Sequence, residues 1–409
     1  MTVQATPPEP RRAALLFILV TVALDVLAVG VIIPVLPKLV TDFMGGNEVS
    51  AAEMFGLFGF AWGLMQFVFS PLLGALSDRF GRRPVILLSN LGLGLDYVLM
   101  ALAPTLGWLF VGRLISGITS ASITTAFAYI ADVTPPEKRA AGFGKVGAAF
   151  GFGFVLGPTL GGLLGDVDPR LPFWVAAGLS LANFAYGLLV LPESLPRERR
   201  SPFSWRRANP VGSLKLLRSH PELSGLAAVA ALYYLAHEVL PSVFVLYGSH
   251  RYGWDVTTVG LTLGAVGVCS ALVQGGLVRP AVARFGERPM LLFGLAFGAI
   301  GLAVYGLAPT AWLFWIGVPV MSLWGFAGPS AQALMSRHVP PQEQGQLQGA
   351  LTAIRSFTGL GGPLLFTQSF ATFADDDTGW QLPGAPFLLA GLLLVAALLL
   401  AARVTRPRD

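Results

Sequence analysis

The sequence predicts an all-α membrane protein with twelve transmembrane helices arranged as two pseudo-symmetric six-helix bundles. Of the 409 residues, 54% are hydrophobic and only 12% are charged, whereas about a quarter of a typical soluble domain is charged. Twelve mainly apolar segments are each long enough to cross about 30 Å of hydrocarbon. A charged motif after the second segment recurs in weaker form 205 residues later. The chain therefore reads as two related halves.

The twelve segments follow from their length and low charge. They are expected near 13–39, 51–76, 85–103, 108–131, 140–165, 172–191, 222–247, 257–280, 289–307, 311–335, 346–371 and 384–402. A stretch rich in Arg, Pro and Ser separates the sixth segment from the seventh. We therefore predict an N-terminal bundle at 1–191, a basic cytoplasmic linker at 192–221 and a C-terminal bundle at 222–409.

The repeat is supported by four kinds of match at the same offset. The pairs are Phe80-Gly81 with Phe285-Gly286, Pro104 with Pro309, Pro135 with Pro340, and Gly157-Pro158 with Gly362-Pro363. Two similar membrane units that enclose a site between them form a known transporter architecture, because the units can tilt about that site.

The basic residues predict the orientation of the chain. Of 27 Lys and Arg, 21 fall in the termini and in the links after the even-numbered helices. Since cytoplasmic loops carry an excess of Lys and Arg, we predict that both termini are cytoplasmic, in a bacterial inner membrane. The net charge of +5 fits this topology and gives no reason to expect a nucleic-acid partner.

The motif at residues 74–83 predicts a gate. Gly74 and Gly81 favour close helix approach and a tight turn, and Asp78 precedes three arginines, which are Arg79, Arg82 and Arg83. The stretch resembles the Gly-x-Leu-Ala-Asp-Arg-x-Gly-Arg-Arg motif of the major facilitator superfamily, with Ser77 in place of the usual Ala. The resemblance implies a twelve-helix fold and a gate contact of Asp78 in the outward-open state.

Helix five is expected to be kinked and closely packed. Its glycines recur about every four residues on one face, and Pro158 removes a backbone hydrogen bond. The run at 153–162, with Gly157 and Pro158 as its central pair, resembles the antiporter motif of the superfamily's drug/proton exporters. This resemblance favours export over import.

Further matches point to the tetracycline/proton antiporter branch. They are Leu24-Asp25-Val26, Ile33-Pro34-Val35-Leu36-Pro37, Leu95-Asp96-Tyr97, 112–119, 251–254 and 362–367. The resemblance implies that Asp25, Gln66, Asp78, Asp96 and Arg113 are important for transport. It does not extend to a His in helix eight, where this chain has Cys269 and Ser270, nor to an Asp in helix nine.

Five charged residues are predicted inside the spans, and these are Asp25, Asp96, Arg113, Glu238 and Arg355. A charge in hydrocarbon is costly, so each should face the bundle interior and have a partner or a task. We hypothesise that Asp25 is the principal proton carrier, with Arg113 as its cationic switch and Glu238 as a second acid or substrate contact. The family pairing joins Asp25 to Arg113, whereas equal depth favours Asp96 with Arg113, and both alternatives stay open.

A substrate-binding wall is expected around these charges. Arg355 would favour an anionic or zwitterionic group or pair with Glu238, and His237 could relay protons. Polar and aromatic residues suited to an aromatic ligand are Gln66, Tyr97, Tyr129, Tyr233, Tyr234, Trp324, Phe326 and Gln332.

These observations predict a proton-coupled antiporter that exports amphipathic drug-like molecules. The alternative is a proton-coupled transporter of an endogenous metabolite or lipid-like compound. An enzyme is disfavoured because the four histidines are scattered and no Gly-x-Ser-x-Gly is present. An ATP-driven pump is disfavoured because 142–146 lacks the P-loop spacing. We expect no cofactor and no metal, a small-molecule substrate, protons and the lipid bilayer as partners, and a monomer.

Overall fold

The computed structural model describes residues 12–119, 122–134, 139–203, 223–340, 343–375 and 381–406. Throughout these ranges the chain forms helices joined by short connections, and we number the helices as twelve spans. Spans 1 to 6 are Arg12–Ile32 with Leu36–Phe43, Glu48–Phe80, Arg82–Leu102, Leu106–Thr119 with Ser122–Val133, Arg139–Val167, and Leu171–Val190. Spans 7 to 12 are Ser224–His237 with Val239–Tyr252, Val256–Leu272 with Val273–Leu277 and Val278–Phe285, Glu287–Leu307, Ala311–Ser322 with Leu323–Phe326 and Ala327–Ser336, Gln344–Ala374, and Ala385–Val404.

Eleven of these spans are long and apolar enough to cross a membrane. Span 11 is more polar, because glutamine, serine and threonine are spread along its 31 residues. It packs along span 2 of the other half and against span 7, so much of its surface meets protein rather than lipid. The predicted all-helical fold is confirmed, and several spans are longer than their apolar cores. Span 2, for example, begins after Asn47, whose side chain accepts a hydrogen bond from Ser50 N at 2.9 Å.

The repeated motif forms two equivalent turns. Gly81 ends span 2 with a φ of 107°, and Gly286 ends span 8 with a φ of 86°. These values suit glycine because a Cβ would clash with the backbone. We call the side of the protein that carries these two turns the basic face, and the other side the opposite face.

Three spans of the C-terminal half are interrupted. Span 7 is interrupted at Glu238, span 8 contains the π-helical turn Val273–Leu277, and span 10 contains the 3₁₀ turn Leu323–Phe326. The last two touch, because a Cβ on Gly325 would lie 3.1 Å from Gln274 Cγ. Such interruptions often occur at functional positions.

The two halves meet toward the opposite face through two seams of small residues. In the first seam, a Cβ on Gly63 of span 2 would lie 3.0 Å from Gly359 O of span 11. In the second, a Cβ on Gly162 of span 5 would lie 3.0 Å from Gly260 Cα of span 8. Small residues allow this backbone contact. At the outer end of the first seam, Glu48 Oε2 lies 2.6 Å from His250 Nδ1.

The same helix faces separate toward the basic face. Val155 of span 5 and Gly267 of span 8 also belong to the second seam, because a Cβ on Gly267 would lie 3.2 Å from Val155 Cα. Gly151 lies one turn before Val155, and Gly275 lies two turns beyond Gly267. Both have open space where a side chain would be, as does Gly74 near the end of span 2. The halves therefore enclose an opening toward the basic face, which we call the central opening. The close approach predicted at Gly74 is wrong for this conformation.

The first part of the predicted linker, 192–203, lies beside the Gly81 turn, and 204–222 falls outside the described residues. The domain boundaries stay a prediction.

Candidate functional site

Asp25 lies on span 1 and is directed at spans 3 and 6. Its side chain is 7% exposed, and Asn90 of span 3 and Asn183 of span 6 are both 0% exposed. Asn183 Nδ2 donates to Asp25 Oδ1 at 2.9 Å and to Thr21 O at 2.9 Å. In the orientation that gives the Asn90 amide complementary partners, its Nδ2 donates to the two Asp25 oxygens at 3.2 and 3.3 Å. In this conformation Asp25 is thus held by two amides, and the ion pairs of the described residues do not include one between Asp25 and Arg113.

Asp96, which is buried, and Arg113, which is half-buried, form a second pair of neighbours. Asp96 is 1% exposed, and Arg113 is the cation that acts on it electrostatically. Their charged atoms are not within ion-pair distance, and neither Asp96 oxygen has a hydrogen-bond partner among the described residues. The Arg113 guanidinium carbon lies 5.3 Å from the Trp62 ring centroid. The geometry therefore favours the depth-based pairing of Arg113 with Asp96 over the family pairing with Asp25.

An aromatic cluster lies beside the interruption of span 7. The Tyr233 ring centroid is 5.2 Å from that of Tyr234 and 5.3 Å from that of Trp324. The His237 ring lies 5.6 Å from Trp324. Tyr233 and Tyr234 also line a pocket with Gln332 and apolar residues of spans 9 and 10. The structure therefore brings five of the predicted wall residues together.

Glu238 and Arg355 lie next to this cluster. Glu238 is half-buried against span 11, where a Cβ on Gly362 would lie 2.6 Å from its Cγ. Arg355 acts electrostatically on Tyr233, Tyr234, His237 and Glu238. His237 and Arg355 are exposed although both lie within spans, and such charges face water-filled space rather than lipid. Arg355 and Glu238 do not form a direct ion pair among the described residues.

Other predicted wall residues lie elsewhere. Tyr129 is 0% exposed, and its hydroxyl donates to Pro192 O at 2.9 Å, so it anchors the start of the linker and does not line the opening. Phe326 is buried, and its ring lies 5.7 Å from that of Phe293. Tyr97 is buried near Asp96 and Arg113. Gln66 is half-buried on span 2, and Gln332 Nε2 donates to Gln348 Oε1 at 3.0 Å.

The gate motif is organised around Arg82, which is buried. Its Nη1 donates to Ser77 Oγ at 2.7 Å and to Asp78 Oδ1 at 2.5 Å, and its Nε donates to Asp132 Oδ2 at 3.1 Å. Ser77 thus replaces the usual Ala with an acceptor for Arg82. Arg79 is exposed, with its guanidinium carbon 5.0 Å from the Phe80 ring. Of the three arginines that follow Asp78, Arg82 forms the ion pair with it that the described residues show.

Glu193, at the start of the linker, joins this network from outside the motif. Its Oε1 accepts from Arg82 N at 2.9 Å, and its Oε2 accepts from Arg83 N at 3.3 Å. A carboxylate at a helix N-terminus satisfies free amides and the helix dipole. Sequence reasoning missed Glu193, Asp132, Asn90 and Asn183. The signal for the two asparagines was their presence in apolar segments.

Comparison with known proteins decides the family. The Major Facilitator Superfamily model matches residues 18–363 and, in a second match, 280–409. The chain belongs to the major facilitator superfamily. The tetracycline resistance protein, class C, of Escherichia coli is 40% identical over 378 residues, which cover 92% of this chain and 95% of that relative. The class G protein of Vibrio anguillarum is 36% identical over 372 residues, which cover 90% of this chain and 93% of that relative. The predicted superfamily and branch are confirmed.

Solved structures of the superfamily share the fold. The human organic anion transporter MFSD10 (TETRAN) aligns with a TM-score of 0.71 at 24% identity, over 97% of this chain and 100% of that one. The nucleoside transporter NupG aligns with a TM-score of 0.76 at 14% identity, over 97% of this chain and 100% of that one. This superfamily chain is accordingly a multi-pass membrane protein.

Proposed function

We propose that this chain is a proton-coupled antiporter that exports amphipathic, drug-like molecules by alternating access. The observation that carries the proposal is the similarity to tetracycline resistance proteins along nearly the whole chain. The distribution of charge supports it, because Asp25 is buried in the N-terminal half while His237 and Arg355 are exposed in the C-terminal half. An acid in one half and a ligand surface in the other are suited to the exchange of a proton for a drug molecule.

We also infer the topology. The basic face lies in the cytoplasm, on the Lys and Arg distribution, and the membrane is a bacterial inner membrane. The halves 1–191 and 222–409 are the two moving bodies, and 192–221 links them. This conformation then opens to the cytoplasm, where a drug would enter. Each chain encloses its own central opening, so a monomer suffices.

The substrate surface of the proposal is the aromatic cluster with Glu238 and Arg355. The half-buried rings of Tyr233 and Tyr234 suit a flat apolar molecule, with the buried Trp324 packed against Tyr233. Arg355 carries a fixed positive charge and Glu238 can carry a negative one, so the pair suits a zwitterion. In the proposed cycle, a proton enters Asp25 when the opposite face is open and leaves when the basic face is open.

The test is transport into inside-out vesicles with an imposed pH gradient, acidic inside. Tetracycline, a cationic dye and an anionic drug are offered in turn. We expect concentrative uptake of at least one compound and its loss with a protonophore. Asp25→Asn should still bind that compound but lose gradient-driven uptake.

The matched control is Asp42→Asn, because Asp42 is an exposed carboxylate on the same span and pairs only with Lys38. It should transport as the wild type does. Uptake that ignores the gradient in the wild-type protein would reject proton antiport. Wild-type uptake by Asp25→Asn that a protonophore still abolishes would remove Asp25 from the mechanism.

A further inference from the structure

The proposed function gives no role to Asn90 and Asn183, the two asparagines around Asp25. We propose that Asn90 and Asn183 are positioning residues for Asp25, and that their amides stabilise its ionised form. The inference rests on proton antiport and adds two residues to its proton site.

The negative charge of Asp25 is met by amides. The charged and titratable side chains described on spans 3 to 6 are Arg82, Arg83, Asp96 and Tyr97 of span 3, Arg113, Tyr129 and Asp132 of span 4, Lys145 and Asp166 of span 5, and Tyr186 of span 6. Of these, Tyr97 interacts electrostatically with Asp25. Arg113 acts on Asp96, Asp132 is paired with Arg82, and Lys145 is exposed. The recorded polar contact of Asp25 is the amide of Asn183. The site therefore needs no cation to hold an ionised carboxylate.

The hydrogen bonds of the cluster fit the ionised form of Asp25. Asn183 Nδ2 donates to Asp25 Oδ1 at 2.9 Å, and Asn90 Nδ2 donates to both oxygens at 3.2 and 3.3 Å. The Asn90 oxygen then accepts from Asn183 Nδ2 at 3.2 Å. Donors are what an ionised carboxylate requires, since it can only accept.

The protonated form of Asp25 does not fit this arrangement. A protonated carboxyl is a donor, so its O–H would meet amide N–H groups that are donors too. A half-turn of the Asn90 amide would turn its oxygen toward Asp25 but would leave Asn90 Nδ2 at 3.2 Å from Asn183 Nδ2, again donor against donor. The two amides therefore stabilise the ionised carboxylate and disfavour its protonation.

The experiment titrates the purified full chain in lipid nanodiscs by infrared difference spectroscopy, without substrate. The C=O band of protonated Asp25 is assigned by its absence in Asp25→Asn. In Asn90→Leu and Asn183→Leu the midpoint of this band should move up by about one pH unit. A hydrogen bond to a charged group is worth about 1.5 kcal/mol, which is close to one unit.

Ser180→Ala is the matched control, because Ser180 is fully buried on span 6 one turn from Asn183. It should leave the midpoint unchanged. If Asn90→Leu does not fold, Asn90→Ser gives the same readout with a smaller side chain. A wild-type midpoint in both asparagine variants would overturn the inference, as would an Asp25 band that does not titrate. A failure of the proposed function shows separately, as uncoupled wild-type uptake in vesicles.

Discussion

At the residue scale, the ionisable groups in the spans fall into two kinds. Asp25 and Asp96 are buried within the N-terminal half, whereas His237 and Arg355 are exposed within the C-terminal half. All four could be predicted from the sequence, because a charged or titratable residue in an apolar segment is conspicuous. Their partners could not, because pairing depends on how each helix is rotated about its axis. Asn90 and Asn183 illustrate this, since only the packed bundle turns both toward Asp25.

Arg355 should set the charge class of the substrate. Arg355→Ala removes the exposed cation beside Glu238, so the surface becomes net negative when Glu238 is ionised. We expect uptake of an anionic drug to fall about tenfold relative to a cationic dye, since a charged contact is worth about 1.5 kcal/mol. The measurement is the ratio of initial uptake rates in vesicles.

Arg279→Ala is the control for this change, because Arg279 is an exposed arginine of span 8 near the basic face. Its ratio should equal that of the wild type. An unchanged ratio in Arg355→Ala would exclude Arg355 from the substrate surface.

At the scale of helices, span 5 has two packed faces. Gly153, Gly157 and Gly161 meet span 1, and Gly162 meets span 8 of the other half. Glycine spacing predicts a close helix approach, and the contact with span 1 agrees with it. The spacing alone does not identify which neighbour each face meets. Which helix each face contacts is determined by the arrangement of the twelve helices in the folded protein.

The contact at Gly157 should tolerate no side chain. A Cβ there would lie 2.6 Å from Gly30 Cα, which is backbone and cannot turn aside. We expect Gly157→Ala to lower stability by about 1–3 kcal/mol, the usual cost of overpacking. The measurement is the thermal unfolding midpoint in detergent.

Gly178→Ala serves for comparison, because Gly178 is a helical glycine of span 6 with open space beside it. Its midpoint should be unchanged or higher, since alanine favours helix. Equal midpoints for Gly157→Ala and the wild type would show that spans 1 and 5 are not in backbone contact.

At the scale of the molecule, the halves are joined near the opposite face and apart near the basic face. The two-fold repeat, the span count and the superfamily could be predicted from the sequence. The conformation could not, because every state of a rocking transporter uses the same apolar segments. The contact between Glu48 and His250 is such a state-dependent feature, since it joins residues 202 positions apart in different halves.

This contact should stabilise the conformation that is closed at the opposite face. We expect His250→Ala and Glu48→Gln each to shift the population toward opening by roughly fivefold, because a surface pair contributes up to about 1 kcal/mol. The measurement is the distance distribution between spin labels at Lys38→Cys and Trp312→Cys, with Cys269→Ser as background. The double variant should resemble each single one.

Glu53→Gln provides the control, because Glu53 is an exposed acid on the same helix. It should leave the distribution unchanged. Additive shifts in the double variant would mean that Glu48 and His250 act separately.

The burial of Asp25 against spans 3 and 6 bears on how such a pump can evolve. Its amide partners belong to the N-terminal bundle, whereas the exposed ring and charge surface belongs to spans 7, 10 and 11. In the proposed mechanism, selection by a new drug can therefore reshape the surface of the C-terminal half residue by residue while the Asp25 site is inherited intact. Lineages diverging in this way would keep the Asp25 neighbourhood and differ around Arg355.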